Sequence, residues 1–502
     1  MRHYLLVFLI AALSSCRPSD ANSQVVPTET PARRADRQSA APAVSADFSI
    51  YKALYERHST YKEPSITRQR FKHTAIAPLV QRLQSPFQWS VAGKSIEGRN
   101  IYRVQYGNGP VKVLLWSQMH GDEPTATMAL MDIFNFLSRS DEWDELRSRL
   151  RSELTLVFVP MLNPDGAERF DRRNALGIDL NRDALRLQCP ESQLLKRLRD
   201  ELSADWGFNL HDQGRFYGAG LGPKNAAMAF LAPAFNYEKE INDSRGNAMQ
   251  LIAGMSAFLQ GYIPGHIARY DDEFEPRAFG DNIQKWGTST ILIEAGVLPN
   301  DPEKQELRRL HFAALLMAID AIATQQVEQF DIAGYEQIPF NKSNFFHDLI
   351  VREAEVEKAG RVFTLDIGFR RDGSGVSISD QGDLSIFHAF DEVEARGMRL
   401  VPGKTYTKVV PDMASAKNLD LLQLLRQGYT ELQMTKRPDA APSGFPFRLV
   451  APGKSSSQDI KPGRNPSFVL MQNGRVRWAV VNGRAYDLER DAQLIRNVVG
   501  QK

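Results

Sequence analysis

The sequence predicts an α/β fold, a mostly parallel mixed sheet flanked by helices, followed by a smaller β-sandwich domain. Three observations carry this. From about Asp47 to Gln326, short apolar runs rich in β-branched residues alternate with segments whose apolar residues recur at helical spacing, the pattern of a parallel sheet covered on both faces. After Gln326 the texture changes to short strands and glycine-containing turns such as "DGSGVS" and "QNGRVRWAVVNGR". A chain of 502 residues also exceeds what one ordinary core holds, so two folded domains are expected.

The N-terminus stands outside both. "MRHYLLVFLIAALSSC" has a short basic start, an apolar stretch from Tyr4 to Leu13 and small residues before Cys16, the layout of an export signal and too short for a stable transmembrane helix. "LSSC" resembles the bacterial lipobox, which implies cleavage before Cys16 and lipidation of its thiol, with a plain signal peptide as the alternative. Arg17 follows where an inner-membrane retention signal would be aspartate, so the resemblance implies the periplasmic face of the outer membrane. Residues 17–46 are rich in Ser, Ala, Pro and Thr, lack aromatics, and read as a flexible tether. The only other cysteine is Cys189, so with Cys16 lipidated no intramolecular disulfide can form. The expected organisation is a signal peptide at 1–15, a lipidated cysteine and tether at 16–46, a catalytic domain at 47–326 and a β-rich domain at 340–502.

Within the first domain "IYRVQYG", "VKVLLWS", "LTLVFVPM", "WGFNLH" and "STILIEAG" read as buried strands. "PTATMALMDIFNFLSR" and "PESQLLKRLRDELSA" read as helices, with Pro124 in a first turn where a missing N–H costs little. Hydrophobic content of 42% and charged content of 24% are those of a globular protein. A net charge of +2 with scattered Lys and Arg gives no nucleic-acid footprint, and no nucleic-acid partner is expected.

Chemistry gathers where three of these strands end. His120 and Glu123 follow "VKVLLWS", His211 closes "WGFNLH", and Glu294 lies in "STILIEAG". In open α/β sheets ligands collect at the carboxyl ends of strands. Two imidazoles and a carboxylate make a common catalytic zinc set with one position left for water, and a remaining glutamate suits a general base. Each residue also has a plainer reading: Asp122 or Glu123 capping the next helix, His211 bonded to Asp212 or to backbone, Glu294 anchoring a turn. The same placement on three strands favours the metal. After "LTLVFVPM", residues 163–183 carry Arg169, Arg172, Arg173 and Arg182 near Asn181. Guanidinium groups clamp a carboxylate bidentately, so an anionic substrate end beside the bond to be cut is expected; a solvated charged loop is the alternative.

These segments resemble the zinc metallocarboxypeptidases of the carboxypeptidase A/B type. The resemblance covers roughly residues 66–325: "VAGKSIEGRNIY" is like that family's opening hairpin, and "HGDE", "NPDG", "GIDLNRD", "NLHDQ" and "LIEAG" follow in the family's order. It implies one Zn²⁺ per chain on His120, Glu123 and His211, with Glu294 as general base to a zinc-activated water. Arg172 would polarise the scissile carbonyl, Asn181 and Arg182 would grip the substrate's C-terminal carboxylate, and Asp179 would orient the first zinc histidine. Arg169 matches a secondary substrate arginine less closely. The family also has a mobile tyrosine upstream of the base. Tyr270 is the candidate here, without a local motif match, and an ordinary packed tyrosine is the alternative. Arg277 and Phe279 fall roughly where side-chain selectivity is set, with Asp281 as an alternative partner for Arg277.

In the second domain, stretches around residues 347–375, 388–404 and 460–488 resemble the two halves of the small β-sandwich that flanks the barrel of amidohydrolases. "VPGKTYTKVV" carries no His-x-His metal pair, and too few residues follow for a barrel. A sandwich without a second active site is expected, with His347 and His388 structural. The function expected is therefore a tethered envelope exopeptidase acting on peptides, cell-wall-derived ones among them, with the membrane engaged by the lipid alone. A zinc deacylase of small N-acyl amino acids and a catalytically inactive envelope binding module are the rivals.

Overall fold

The largely apolar strands lie at the centre of an eight-stranded mixed sheet in the computed structural model, which describes residues 47–494 apart from 373–374, 439–441, 443, 457 and 491–492. The signal peptide, Cys16 and the tether lie outside the described residues. The strands are β1 (Phe87–Lys94), β2 (Asn100–Tyr106), β3 (Val111–Ser117), β4 (Leu154–Val159), β5 (Trp206–Asp212), β7 (Met228–Leu231), β8 (Ile267–Arg269) and β9 (Ser289–Ala295), with a two-residue strand β6 (Gly218–Ala219) set apart from this sheet. Their order is β1-β2-β4-β3-β5-β9-β7-β8. β4, β3, β5 and β9 run parallel, while β1 and β2 at one side and the β9–β7 pair at the other are antiparallel.

Alternation along β3 explains the two layers. Val113 and Leu115 point into one core, with the helices Thr125–Leu137 and Gln305–Ala323. Leu114 and Trp116 point into the other, with the helix Pro190–Leu202. All four are fully buried, each worth about 2 kcal/mol by apolar transfer. From β3 the chain passes to β4 on one side and later to β5 on the other. The strand order thus reverses beside β3, opening the crevice at the carboxyl ends where α/β sheets bind ligands.

Residues 47–86, for which the sequence predicts no elements, contribute the helices Ser49–Glu56 and His73–Gln81. They are fastened by polar contacts from distant parts of the chain. The Tyr51 hydroxyl donates to Asp320 at 2.6 Å, and Arg308 reaches Asp132 and the carbonyl oxygens of Glu63 and Ile66.

The β-rich region begins at β10 (Asn341–Lys342) and continues with β11 (Phe346–Lys358), β12 (Arg361–Asp372), β13 (Gly375–Gly382), β14 (His388–Glu394) and β15 (Arg399–Pro402). After β16 (Lys404–Val410), β17 (Tyr429–Met434) and β18 (Arg448–Val450) come β19 (Phe468–Gln472), β20 (Arg475–Val481), β21 (Arg484–Asp487) and β22 (Gln493–Leu494). β11 to β15 and β19 to β22 form one nine-stranded sheet. Both arms supply one core, Val351, Ile367 and Phe369 meeting Phe468, Leu470 and Val480. Where no barrel is expected, a three-stranded parallel sheet, β16-β17-β18, stands between the two arms, with short helices at Met413–Lys417 and Leu421–Arg426.

This region is locked to the first. β10 pairs with β6, Arg215 meets Asp348 at 2.8 Å, and the Phe345 N–H donates to the Phe216 carbonyl at 2.9 Å. His347 is a packed histidine. Its Nδ1 lies 2.9 Å from Ser379 Oγ, and Gly368 has no room for a Cβ against its ring. Burial, then Arg370 and Arg352, push its pKa from 6.5 down to about 3. The unfolded chain therefore binds the extra proton between those values. Stability is whole above pH 6.5 and is expected to fall, by up to a few kcal/mol, as pH drops from about 6.5 towards 3. Urea unfolding of the wild type and of His347→Gln across that range checks this: the variant's curve should be flatter.

Candidate metal centre

The local chain geometry that delivers His120 depends on one close backbone approach and a capped helix behind it. Gly121 lies against Gly166, where an added Cβ would come within 2.0 Å of the Gly166 carbonyl carbon. Asn163 caps the helix Pro164–Arg169, its side chain accepting from Gly166 N–H. Asp165 accepts from Ser95 Oγ at 2.7 Å and from the Glu97 N–H at 2.9 Å, so "NPDG" also pins the β1–β2 hairpin. The capping alternative for Glu123 does not hold: the helix Thr125–Leu137 has Pro124 at its N-cap and no side-chain cap.

Freed from capping, Glu123 turns inward. Its Oε1 lies 2.8 Å from His120 Nδ1 and its Oε2 2.7 Å from His211 Nδ1, while the two Nδ1 atoms are 3.1 Å apart. All three residues are buried, and one ligand atom from each lies within 4.8 Å of the others. His120 Nε2 is 3.0 Å from Asp179 Oδ1. This carboxylate accepts from the Nε2–H and leaves the Nδ1 lone pair facing inward, the tautomer a metal requires. Burial lowers the His211 pKa and so favours its neutral, ligating form. Burial opposes ionisation of Glu123, but the two imidazoles outweigh it and hold the carboxyl well below its usual range. Two lone-pair nitrogens facing each other across a carboxylate call for a shared cation, and the set fits Zn²⁺.

The other expected residues fall around this set. Glu294 is the in-register neighbour of His211 on the adjacent parallel strand, and its Oε2 is shielded from solvent with no partner. Burial, then the charges of Glu123 and Asp212, raise its pKa well above the ordinary value. Arg172 places Nη1 3.0 Å from Glu123 Oε1 and Nε 3.0 Å from Asp179 Oδ2, with 42% of its side chain open to solvent. Asn181 is buried and its Oδ1 accepts from the Phe279 N–H at 2.9 Å, which ties the short turn Leu180–Arg182 to the helix Phe279–Lys285. Arg182 extends beside Glu275, Nε to Oε2 at 3.4 Å. Arg169 is drawn off instead to Glu97 on the hairpin. Arg277 pairs with Glu275 rather than Asp281, and Phe279 is core. Tyr270 donates its hydroxyl to Gln213 Oε1 at 2.8 Å, and burial raises its pKa far above the ordinary value.

Two supporting residues are given no role by the sequence, Lys304 with no signal at all and Gln213 as the unassigned end of "NLHDQ". Lys304, in left-handed conformation ahead of the helix Gln305–Ala323, is buried. Its Nζ donates to Asp212 Oδ2 at 2.9 Å and to the Ala295 carbonyl at 3.1 Å. It thus joins the ends of the strands bearing His211 and Glu294. Lys304→Met leaves Asp212 buried without its counter-charge, and a loss of about 3 kcal/mol in urea-unfolding stability is expected. Gln213 is the second, accepting from Tyr270 and from Asn341 of β10.

A buried His–Glu–His set, an unpartnered carboxyl one strand away and arginines at the rim are the residue types that metal-assisted hydrolysis next to an anionic group uses. Comparison with known proteins sharpens the class: residues 76–196 match the zinc carboxypeptidase family. That match contains His120, Glu123, Arg169, Arg172, Asp179, Asn181 and Arg182, while His211, Tyr270 and Glu294 lie beyond it and are brought in by the fold. The chain is 26% identical over 137 residues to carboxypeptidase 2 of Trichophyton rubrum, covering 27% of this chain and 24% of that protein. It is 30% identical over 97 residues to carboxypeptidase SOL1 of Arabidopsis thaliana, covering 18% of this chain and 20% of the relative. The chain thus spans about a quarter or less of the length of these relatives. A crystal structure of a metallo-carboxypeptidase from Burkholderia cenocepacia aligns with a TM-score of 0.41 at 18% identity, over 51% of this chain and 70% of that one.

Proposed function

We propose that the protein is a zinc-dependent metallocarboxypeptidase that hydrolyses the C-terminal peptide bond of peptides. The observation that carries this is the convergence of three buried ligand atoms with an unpartnered carboxyl on the adjoining strand. His120, Glu123 and His211 hold the metal, which when bound supplies Lewis acidity to the carbonyl and acidifies water. The protein's own residues do the rest. Arg182, beside Asn181, binds the terminal carboxylate of the substrate as a bidentate pair. Arg172, held by Asp179 and Glu123, keeps its charge where negative charge grows on the carbonyl oxygen. Glu294 takes a proton from the attacking water and passes it to the departing amine.

The test is a library of short peptides, each offered as the free acid and as its C-terminal amide, with products read by mass spectrometry. Loss of one C-terminal residue from the acids, and cleavage slower by about a hundredfold or more from the amides, is expected from the loss of the charge-assisted pair. Turnover of N-acyl amino acids alone would replace this reading with the deacylase. Turnover of neither by the zinc-loaded protein would overturn both.

The same reading has the protein exported and anchored through lipid on Cys16 at the periplasmic face of the outer membrane, with cell-wall-derived peptides as substrates. The sequence of residues 1–46 supports this part, and membrane fractionation tests it. Cys16→Ser is expected in the soluble fraction and the wild type with the membrane; identical partitioning would sink the anchor.

A further inference from the structure

The β-rich region reaches the metal centre through one side chain. Gln213 stands two residues after His211, is buried, and donates its backbone N–H to the carbonyl of Ala295, next to Glu294, at 2.9 Å. Its Nε2 donates to the Ala226 carbonyl at 3.0 Å. Its Oε1 has two lone pairs, and both are taken. One accepts from the Tyr270 hydroxyl at 2.8 Å, the other from Asn341 Nδ2 at 2.6 Å.

Tyr270 lies on the Glu294 side of the sheet. With Tyr217 it packs on a patch of small residues, Ala219, Ala226, Ala229 and Ala268, and Ala229 is the direct antiparallel neighbour of Glu294. Asn341 comes from the other side and is fixed in several ways. β10 pairs Asn341 with Ala219. The preceding Phe340 accepts from the Gly220 N–H at 3.0 Å, and the Arg269 guanidinium stacks 4.0 Å from the Phe340 ring centroid. Asn341 Oδ1 is shut off from solvent and has no partner. A shielded carboxamide oxygen without a partner carries a desolvation cost that an apolar residue at a purely structural position would avoid.

We propose that Asn341, on the β-rich region, is a positioning residue of the peptidase site: by donating to Gln213 it fixes that carboxamide and so holds the Tyr270 hydroxyl in place on the Glu294 side of the sheet. This rests on the metallocarboxypeptidase reading. The catalytic centre is then assembled from both regions of the chain, and the second region is a working part of the enzyme.

The test uses the full chain, zinc-loaded, as wild type, Asn341→Ala, Tyr270→Phe and the double variant, on the best-cleaved free-acid peptide. Asn341→Ala is expected to lower kcat by about tenfold, the scale of one lost hydrogen bond, with KM changed by less than about twofold. In the Tyr270→Phe background the same substitution should change nothing further beyond about twofold. Asn341→Asp, of the same shape but lacking the amide donor, should lose as much as Asn341→Ala and guards against a folding failure. Zinc content should stay near one per chain throughout. An unchanged kcat, an undiminished effect without the Tyr270 hydroxyl, or loss of zinc would each overturn the proposal. Hydrogen exchange supplies a readout that needs no turnover: Asn341→Ala should speed exchange over residues 213–226 and 268–271 and nowhere else. If the wild type cleaves no peptide, the peptidase reading falls. Unchanged exchange would then still overturn the positioning link, and faster exchange would support it.

Discussion

Replacing His211 by alanine is expected to cost the protein its zinc. His120, Glu123 and His211 each place one donor atom in a buried cluster spanning no more than 4.8 Å. Two donors are fewer than the three protein ligands of catalytic zinc sites. Metal analysis after zinc loading and dialysis should give about one ion per wild-type chain and almost none in the variant. The same site links metal to folding. With free zinc at about a hundred times its Kd, the wild type should gain about 2.7 kcal/mol, read as a higher Tm, and His211→Ala should gain almost nothing. Equal zinc in both proteins would remove His211 from the site and the proposed function with it.

Glu294→Gln should separate metal binding from turnover. Glu294 sits one strand from His211 in register and stands outside the set His120, Glu123 and His211, so replacing it removes none of those three donors. The amide has nearly the same shape but cannot accept and return a proton. Zinc content near one per chain, with kcat lower by a factor of about 10² to 10⁴, is expected. Active-site titration with a slow free-acid peptide should show binding preserved. A variant that keeps wild-type kcat would disprove the base assignment.

The parts legible in the sequence are those with local physical signatures. β3, β4, β5 and β9 are buried on both faces, so each reads as a short, largely apolar run. Because parallel strands expose their functional ends together, His120, His211 and Glu294 are recognisable by their common position at strand ends, although 91 residues separate the two histidines. The glycines of "HGDE" and "NPDG" read as motif members, and the structure supplies the reason: they touch each other, backbone to backbone.

What was not legible depends on contacts between distant, ordinary-looking residues. Lys304 looks like a surface lysine before a helix, yet it is buried between two strand ends. Gln213 closes "NLHDQ" with no role that its position there reveals, and its partner Asn341 lies 128 residues away. Asp281 is the nearer guess as a partner for Arg277, but its Oδ1 accepts the Glu275 N–H, and Glu275 itself takes the guanidinium. Arg169 shares a charge-rich stretch with Arg172, and only the fold shows that the hairpin residue Glu97 claims it. The parallel unit β16-β17-β18 escapes for a similar reason: its strands are short and partly exposed, and carry no long apolar run.

The pairing of β6 with β10 bears on how the protein is made. The segment from Gln213 to Ala226 follows directly on the His211 strand, and part of its fastening comes from Asn341, Asp348 and the carbonyl of Arg371. During synthesis those residues emerge well over a hundred positions later, and contacts of such long range are slow to close. The central sheet can collapse as soon as β9 is complete, whereas the wall beside the metal set waits for the next region. A ribosome-stalled chain ending near residue 326 should therefore present a folded sheet with an unfinished wall, and catalytic competence should be among the last properties the growing chain acquires.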